Sequence, residues 1–169
     1  WMDADDVPYG PGGGEKASYL GRSYRVKNAP LDRLEELLLV QGFDREVLSA
    51  LRKVACVRPG SGMTAININT AVKEVLLALV DGVPETDVEI IMSERERTPY
   101  ADTGQLTGDP RFSSWAGRIP PGRLAVKSDA FRVRAVARFG RVLHGEEALL
   151  LVRDGKLVML YRQRLPWTE

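Results

Sequence analysis

The spacing of apolar residues changes once along this chain, and that change constrains its fold more than any other feature. Up to about residue 97, apolar side chains recur three and four positions apart, as in Leu34, Leu37 and Leu38. This spacing places them on one face of a helix. Beyond residue 122 they alternate with other residues, as in Phe131 and Val133, which is typical of a strand. Helices followed by strands predict an α+β fold.

The first two predicted helices have recognisable ends. The first begins at Asn28 or Pro30, since proline suits an opening helical turn. It ends at Gly42, because glycine commonly follows the last turn. The second is capped by Asp44 and continues through Val54, since an aspartate side chain accepts a free N–H of the first turn.

A short extended stretch at 66–71 separates these helices from two more. Its last residues, Asn69 or Thr70, provide a cap for the third helix, which ends near Gly82. The fourth helix follows Pro84 and closes around Arg97.

Three strands are predicted after residues 98–122, a turn-rich segment that we interpret as a connection. The strand over 131–139 is expected to be half-buried, with its apolar residues inward. The second and third strands cover 148–152 and 156–161. The Asp154-Gly155 pair between them predicts a tight hairpin turn, because a type I′ turn needs positive φ at both positions. Short links predict antiparallel pairing.

Composition excludes several functional classes. The net charge of +1 argues against strong nonspecific nucleic-acid binding. Cys56 is the single cysteine, so no intrachain disulfide forms, and its apolar neighbours predict a buried thiol. No apolar run reaches the length of about 18 residues that suggests a membrane span. Because the chain opens at Trp1 without a methionine, we expect an internal start, with any membrane anchor upstream.

No catalytic constellation is recognisable. His144 is the single histidine, and we place it in a connection bounded by Gly140 and Gly145. Nothing around it resembles a nucleophile–base–acid triad. One histidine and Cys56 are too few for a zinc site. The chain is therefore predicted not to be an enzyme.

Carboxylates near the start of the chain suggest a calcium site. Four of them lie on either side of a glycine-rich loop: Asp3, Asp5, Asp6 and Glu15. Calcium prefers several oxygen ligands on a flexible turn. The spacing is not that of an EF-hand loop. Both a calcium site at these residues and a solvated acidic loop remain open.

The 66–71 segment, Ile-Asn-Ile-Asn-Thr-Ala, followed by helix, turn and helix, resembles two families. One comprises the helix-hairpin-helix DNA-binding modules of competence-type proteins. The other is the type II secretion minor pseudopilin K family, also called general secretion pathway protein K. The acidic opening at 1–6, the 24–31 segment and the Val126-Lys127-Ser128 segment leading into a strand resemble the second family in order along the chain.

The DNA-binding alternative is weakened by the turn between the third and fourth helices. Such modules contact phosphate through the backbone N–H groups of a glycine-bearing hairpin. Here the turn carries Asp81 and Glu85, which repel phosphate, and Pro84, which has no N–H. Arginines of the predicted strand region also allow two interpretations, a nucleic-acid face or a polar strand face that discourages aggregation. They are at 132, 134, 138 and 141.

The resemblance to the K family implies a pilin-like fold. It implies an antiparallel sheet with an inserted helical domain of the helix-hairpin-helix or SAM-like type, and an N-terminal anchor helix that this chain lacks. The expected segments are an irregular one at 1–28, the helical domain at 29–108 and the β region at 109–169.

The same resemblance implies a structural role in protein export. The partners would be the minor pseudopilins I and J, at the tip of a type II secretion pseudopilus that exports folded proteins across the outer membrane. The location would be the periplasmic side of the inner membrane of a Gram-negative bacterium, with membrane contact through the missing helix alone. Family members also resemble calcium binders, although no ligand matches individually.

Overall fold

A computed structural model describes residues 1–7, 10, 14–58 and 64–165. It divides into two compact units. The first contains residues 1–64 and 72–89, and the second contains residues 65–71 and 90–169. The helices and the three-stranded antiparallel sheet confirm the α+β class that the change of period predicts. The structure does not test the predicted segments 1–28, 29–108 and 109–169, which stay a prediction.

The first unit is built from short helices. Helix α1 (Arg45–Val54) begins where predicted, because the Asp44 carboxylate accepts the Val47 N–H at 2.8 Å. Helix α2 is Lys73–Leu77. Helix α3 (Glu85–Arg97) begins in this unit and ends in the second. The buried apolar residues of the first unit are Tyr19, Leu48, Leu76, Leu79, Val83 and Val88.

The predicted helix from 28–30 to 42 is shorter and of another type. The chain forms 3-10 helices at Lys16–Tyr19 and Leu34–Leu39. The Glu36 side chain accepts the backbone N–H groups of Asp32 and Arg33 at 2.8 and 3.0 Å. These bonds fix the helix start after Pro30 and leave room for about two turns of 3-10 geometry.

The second unit contains both sheets. Strand β1 (Ile66–Asn67) pairs in parallel with β2 (Leu124–Ala125). Strands β3 (Ala130–Phe139), β4 (Val142–Arg153) and β5 (Lys156–Arg164) form an antiparallel sheet in the order β3-β4-β5. Asp154 and Gly155 both have positive φ, 51° and 71°, which confirms the predicted hairpin turn.

The segment 98–122 is not a mere connection, as the sequence suggested. It contains helix α4 (Gly104–Thr107) and 3-10 helices at Pro110–Phe112 and Ala116–Arg118. Leu106, Phe112 and Trp115 are 0–1% exposed. The rings of Phe112 and Trp115 lie 5.7 Å apart. Glycines and prolines here shape short turns that bring large side chains into the core of the second unit.

The prediction that 131–139 is half-buried is wrong. Every residue from Phe131 to Phe139 is exposed, and the buried stripe of the sheet lies on β4. The predicted long connection at 140–145 is also wrong. Phe139 pairs directly with Val142, so the turn is tight and β4 begins six residues earlier than the predicted 148.

Candidate functional site

The Asn69 side chain joins three parts of the second unit. Its Nδ2 donates to the backbone oxygens of Tyr100 at 3.0 Å and Val126 at 3.2 Å. Its Oδ1 accepts the Tyr100 N–H at 2.8 Å. An amide is the neutral side chain that both donates twice and accepts. Asn69 therefore has a structural role, and not the helix-capping role that the sequence suggested for it.

Arg95 completes this arrangement from α3. Its Nη1 donates to the backbone oxygens of Ile68 at 2.9 Å and Ala71 at 2.7 Å. The Ile68 side chain is fully buried. The 66–71 segment that suggested the two families is thus fixed by side chains reaching its backbone, which keeps its polar groups satisfied.

The turn before α3 offers little to phosphate. Lys73 forms ion pairs with Glu85 and Glu89. The hydrogen bond to Glu85 is the main cause that raises the pKa of Lys73, and the same bond lowers the pKa of Glu85. Because two carboxylates neutralise this lysine, the surroundings of the turn favour repulsion of nucleic acid.

An open cavity of about 380 Å³ in the second unit is lined by charged groups that pair with one another. Arg111 binds the Asp109 and Glu94 carboxylates, each at 2.6 Å. The Tyr100 hydroxyl donates to Glu94 at 3.1 Å. Burial, followed by the Glu94 bond, raises the pKa of Tyr100 to about 12. The Tyr100 hydroxyl therefore stays protonated at neutral pH and acts as a hydrogen-bond donor to Glu94.

The structure does not gather the carboxylates of the predicted calcium site. The Asp3 carboxylate lies 3.6 Å from the amino group of Trp1. Asp5 Oδ1 accepts the Val7 N–H at 2.8 Å. Asp6 Oδ1 accepts from Asn28 Nδ2 at 3.4 Å. Within the described ranges, no group of three or more His, Cys, Asp or Glu residues is placed to hold a metal ion.

Glu15, the fourth predicted ligand, differs from the three aspartates because it is buried. It is 5% exposed, and its Oε2 has no hydrogen-bond partner among the described residues. Residues 11–13, part of the predicted glycine-rich loop, lie outside the described residues. The calcium site stays a prediction.

The single cysteine and the single histidine of the sequence do not lie where they were predicted. Cys56 is exposed, not buried, because it follows the end of α1 and is not on its packed face. His144 lies on β4 and not in a connection. Its Nε2 is 3.4 Å from Glu146, and its Nδ1 is 3.1 Å from Arg164.

The three-stranded sheet has one exposed face on which all the β3 side chains are apolar. Cross-strand partners share a face in an antiparallel sheet, so the pairing places Phe131 with Leu150 and Phe139 with Val142. We call this surface the open face. On β3 it comprises Phe131, Val133, Ala135, Ala137 and Phe139. Phe131 and Val133 are each 45% exposed and Phe139 is 89% exposed, so the open face is available to a partner.

The opposite face contains a buried carboxylate that sequence reasoning did not single out. Glu147 is 5% exposed and receives the Arg134 Nε at 2.8 Å. Tyr161 and Gln163 donate to it at 3.3 and 3.2 Å. Burial alone raises its pKa, but the Arg134 bond and the charges of Arg132 and Arg134 outweigh it and lower the pKa. The arginines that alternate along β3 were the sequence signal for this carboxylate, since a buried acid needs cationic partners.

These observations describe an α+β structural module with internally satisfied charge clusters and an open sheet face. Two family models, both described as type II secretion system protein K, match it at residues 1–60 and 66–127, more than half of its length together. The chain belongs to the type II secretion system protein K family. This family is a structural component of secretion and not an enzyme family.

The fold is similar to that of a solved structure. The match is to a chain of the crystal structure of the GspK-GspI-GspJ complex from the enterotoxigenic Escherichia coli type 2 secretion system, with a TM-score of 0.72 and 19% identity. It covers 98% of this chain and 60% of that chain. A comparison with curated proteins finds no match. Among the described residues, none of the helices has the length and apolar character needed for a membrane crossing.

Proposed function

We propose that this chain acts without catalysis as part of a minor pseudopilin at the tip of a type II secretion pseudopilus. The observation that carries this proposal is family membership, matched over residues 1–60 and 66–127. The similar fold comes from a complex that also contains GspI and GspJ. We therefore expect the minor pseudopilins I and J of the same system to be its partners, in support of the export of folded proteins.

A pilin-like arrangement is supported by the open face of the sheet. Its exposed apolar side chains, Phe131, Val133 and Phe139, would be costly to leave in water, at about 25 cal/mol for each Å² of apolar surface. A helix packed on this face would cover them. In the proposed full-length protein, that helix is the anchor, which holds the domain on the periplasmic side of the inner membrane of a Gram-negative bacterium.

A non-enzymatic role agrees with the chemistry of the cavity at Arg111. Its cation is shared between Asp109 and Glu94, and its tyrosine hydroxyl donates to Glu94, so the polar groups bond one another. Nucleic-acid binding is less well supported, because Lys73 beside the helical turn is neutralised by Glu85 and Glu89.

Complex formation tests the proposal. The full periplasmic region would be mixed with the soluble domains of its cognate I and J proteins, and the mass measured by light scattering after size exclusion. We expect one defined heterocomplex, whereas each protein alone elutes separately. A mixture that contains uncombined components at micromolar concentration would contradict the proposed tip assembly.

A matched control addresses the DNA alternative. The same protein would be titrated into a fluorescently labelled DNA duplex at low salt, and Lys73→Glu would serve as the comparison variant. We expect negligible binding by both proteins. Salt-sensitive binding that is lost in Lys73→Glu would instead favour a phosphate contact at the turn, because phosphate contacts make affinity depend on salt.

A further inference from the structure

Every carboxylate oxygen in the lining of the cavity at Arg111 already has a hydrogen-bond donor. Glu94 and Asp109 each bind Arg111 through one oxygen at 2.6 Å. The second Glu94 oxygen accepts from the Tyr100 hydroxyl at 3.1 Å. The second Asp109 oxygen accepts from the backbone N–H and the Nε of Arg111 at 2.9 and 3.1 Å. The acids of the cavity are thus occupied within the second unit itself.

Three other side chains of the lining have donors without a partner among the residues that the structure describes. They are the Arg97 guanidinium, the Thr98 hydroxyl and the Gln105 Nε2. The Gln105 side chain is held through its other atom, because its Oε1 accepts the Ala101 N–H at 2.7 Å. The cavity therefore suits a group that accepts hydrogen bonds and does not donate them.

The charges of the lining narrow the choice of this group. Within the described part of the chain, Arg97 is the lining cation without a carboxylate partner. Arg111 lowers the pKa of both Glu94 and Asp109, so both acids are ionised at neutral pH. A carboxylate matches the guanidinium fork of Arg97 and adds one negative charge. A phosphate with two charges would be repelled more strongly by the two acids.

The size and the non-polar part of the cavity limit the ligand further. Its volume of about 380 Å³ lies near the lower end of the range of about 300 to 1,000 Å³ that is usual for small-molecule sites. Pro99 and Tyr100 add carbon surface to the lining. The cavity therefore admits a small acid with a non-polar body.

We propose that this cavity binds a small carboxylic acid, whose carboxylate accepts hydrogen bonds from Arg97, Thr98 and Gln105. The non-polar body of the acid lies against Pro99. All the lining residues belong to the second unit, and the site is independent of the proposed partners I and J. A cation in the last turn of a helix is favourable by itself, so the test measures ligand discrimination and not the stability of Arg97 variants.

Three small probes test the proposal: benzoate, benzamide and phenyl phosphate. Their binding to the full periplasmic region would be followed by ¹H–¹⁵N NMR titration. We expect benzoate to bind at least about tenfold more tightly than the neutral benzamide, because hydrogen bonds to an ionised group are roughly twice as strong as neutral ones. Phenyl phosphate should bind more weakly than benzoate, and the benzoate shifts should lie within residues 94–111.

Gln105→Glu is the sharpest variant, since it keeps an oxygen for the Ala101 N–H and replaces the free donor by a negatively charged oxygen. We expect this variant, and Arg97→Gln, to lower benzoate affinity at least about tenfold. Arg153→Gln removes an exposed arginine outside the cavity and should leave benzoate affinity unchanged. Circular dichroism checks folding. Should Arg97→Gln unfold, Thr98→Val replaces it, with weaker benzoate binding as the expected result.

Several outcomes would overturn the proposal. Equal affinity for benzoate and benzamide would remove the role of the carboxylate, and tighter binding of phenyl phosphate would contradict the argument from charge. Benzoate binding that survives both Gln105→Glu and Arg97→Gln would place the site elsewhere. Binding by this chain but not by the full periplasmic region would mean that the protein fills the cavity itself. Absence of any saturable benzoate shift would also exclude the site.

Discussion

The Arg134 guanidinium lies 2.8 Å from the carboxylate of Glu147, and the two side chains are 59% and 6% exposed. The exposed partner therefore stabilises a buried charge. Removing it in Arg134→Ala leaves Glu147 with weaker neutral donors. We expect a loss of roughly 1 to 3 kcal/mol in the free energy of unfolding, the usual effect of leaving a buried polar group under-bonded. Urea denaturation at pH 7 measures it.

Arg138→Ala is the matched control for this prediction. Arg138 lies on the same strand and face but bonds a backbone oxygen at the turn. Its loss should change stability by no more than about 0.5 kcal/mol, as is usual for exposed positions. Equal destabilisation by both variants would show that general strand charge matters, and not the Glu147 bond.

The same pair predicts a pH dependence. Burial acts to raise the pKa of Glu147, but Arg134 and Arg132 lower it below the ordinary value of 4.5. A lowered pKa means that this stabilisation is present above pH 4.5 and is lost as pH falls through the folded-state pKa. In Arg134→Ala the Arg134 bond and charge are lost while burial remains, so the pKa of Glu147 should be higher than in the parent and less stability is lost on acidification. The stability gap between the two proteins should narrow when denaturation is repeated from pH 7 to acid pH. A constant gap would contradict the pairing.

A third prediction concerns the hydrogen bonds by which Asn69 holds the 66–71 segment to Tyr100 and Val126. Asn69→Ala removes two donors and one acceptor and should cost roughly 2 to 3 kcal/mol, since the Tyr100 and Val126 backbone groups lose their partners. Asn69→Asp should be equally harmful at pH 7, because a carboxylate cannot donate to carbonyl oxygens. Thermal and urea unfolding measure both, with exposed Thr70→Ala as the control. A stable Asn69→Asp variant would contradict the assigned donor direction.

Local chemistry allowed some features to be predicted from the sequence. The Asp44 cap and the Asp154-Gly155 turn depend on residues close in the chain, so their patterns suffice. Asn69 was recognised in a family pattern, but its role was not. Its partners lie 31 and 57 residues away, and no local pattern reports such contacts.

The sheet shows why alternation alone was insufficient. The period of β3 is correctly that of a strand, but period does not say which face is covered. Leu149 and Leu151 on β4 are buried on the face shared with Arg132, so the arginines lie on the covered side and Phe131 on the open one. The segment around Trp115 was interpreted as a connection because it is rich in turn residues. Its aromatic residues, Phe112 and Trp115, were the sequence signal that it belongs to the core.

The calcium hypothesis can be tested at Glu15, the buried member of the four predicted ligands. A ligand that binds the native state alone raises the unfolding temperature. If Glu15 contributes to such a site, millimolar calcium should raise the midpoint, and Glu15→Gln should abolish that rise. Without calcium, the variant should be about as stable as the parent, because the Oε2 atom that it replaces makes no hydrogen bond among the described residues. An unchanged midpoint in the parent would exclude the site.

The open face predicts that a polar substitution there lowers the binding of hydrophobic molecules without changing the free energy of unfolding. Phe139 is 89% exposed, whereas Leu151 on the covered side of the sheet is fully buried. Phe139→Ser should change the free energy of unfolding by less than about 0.5 kcal/mol, yet reduce binding of a hydrophobic dye such as ANS. Leu151→Ala should cost about 2 to 5 kcal/mol through lost burial and a residual cavity. Comparable destabilisation by the two variants would mean that Phe139 is packed in solution, and that the open face is covered by this chain itself.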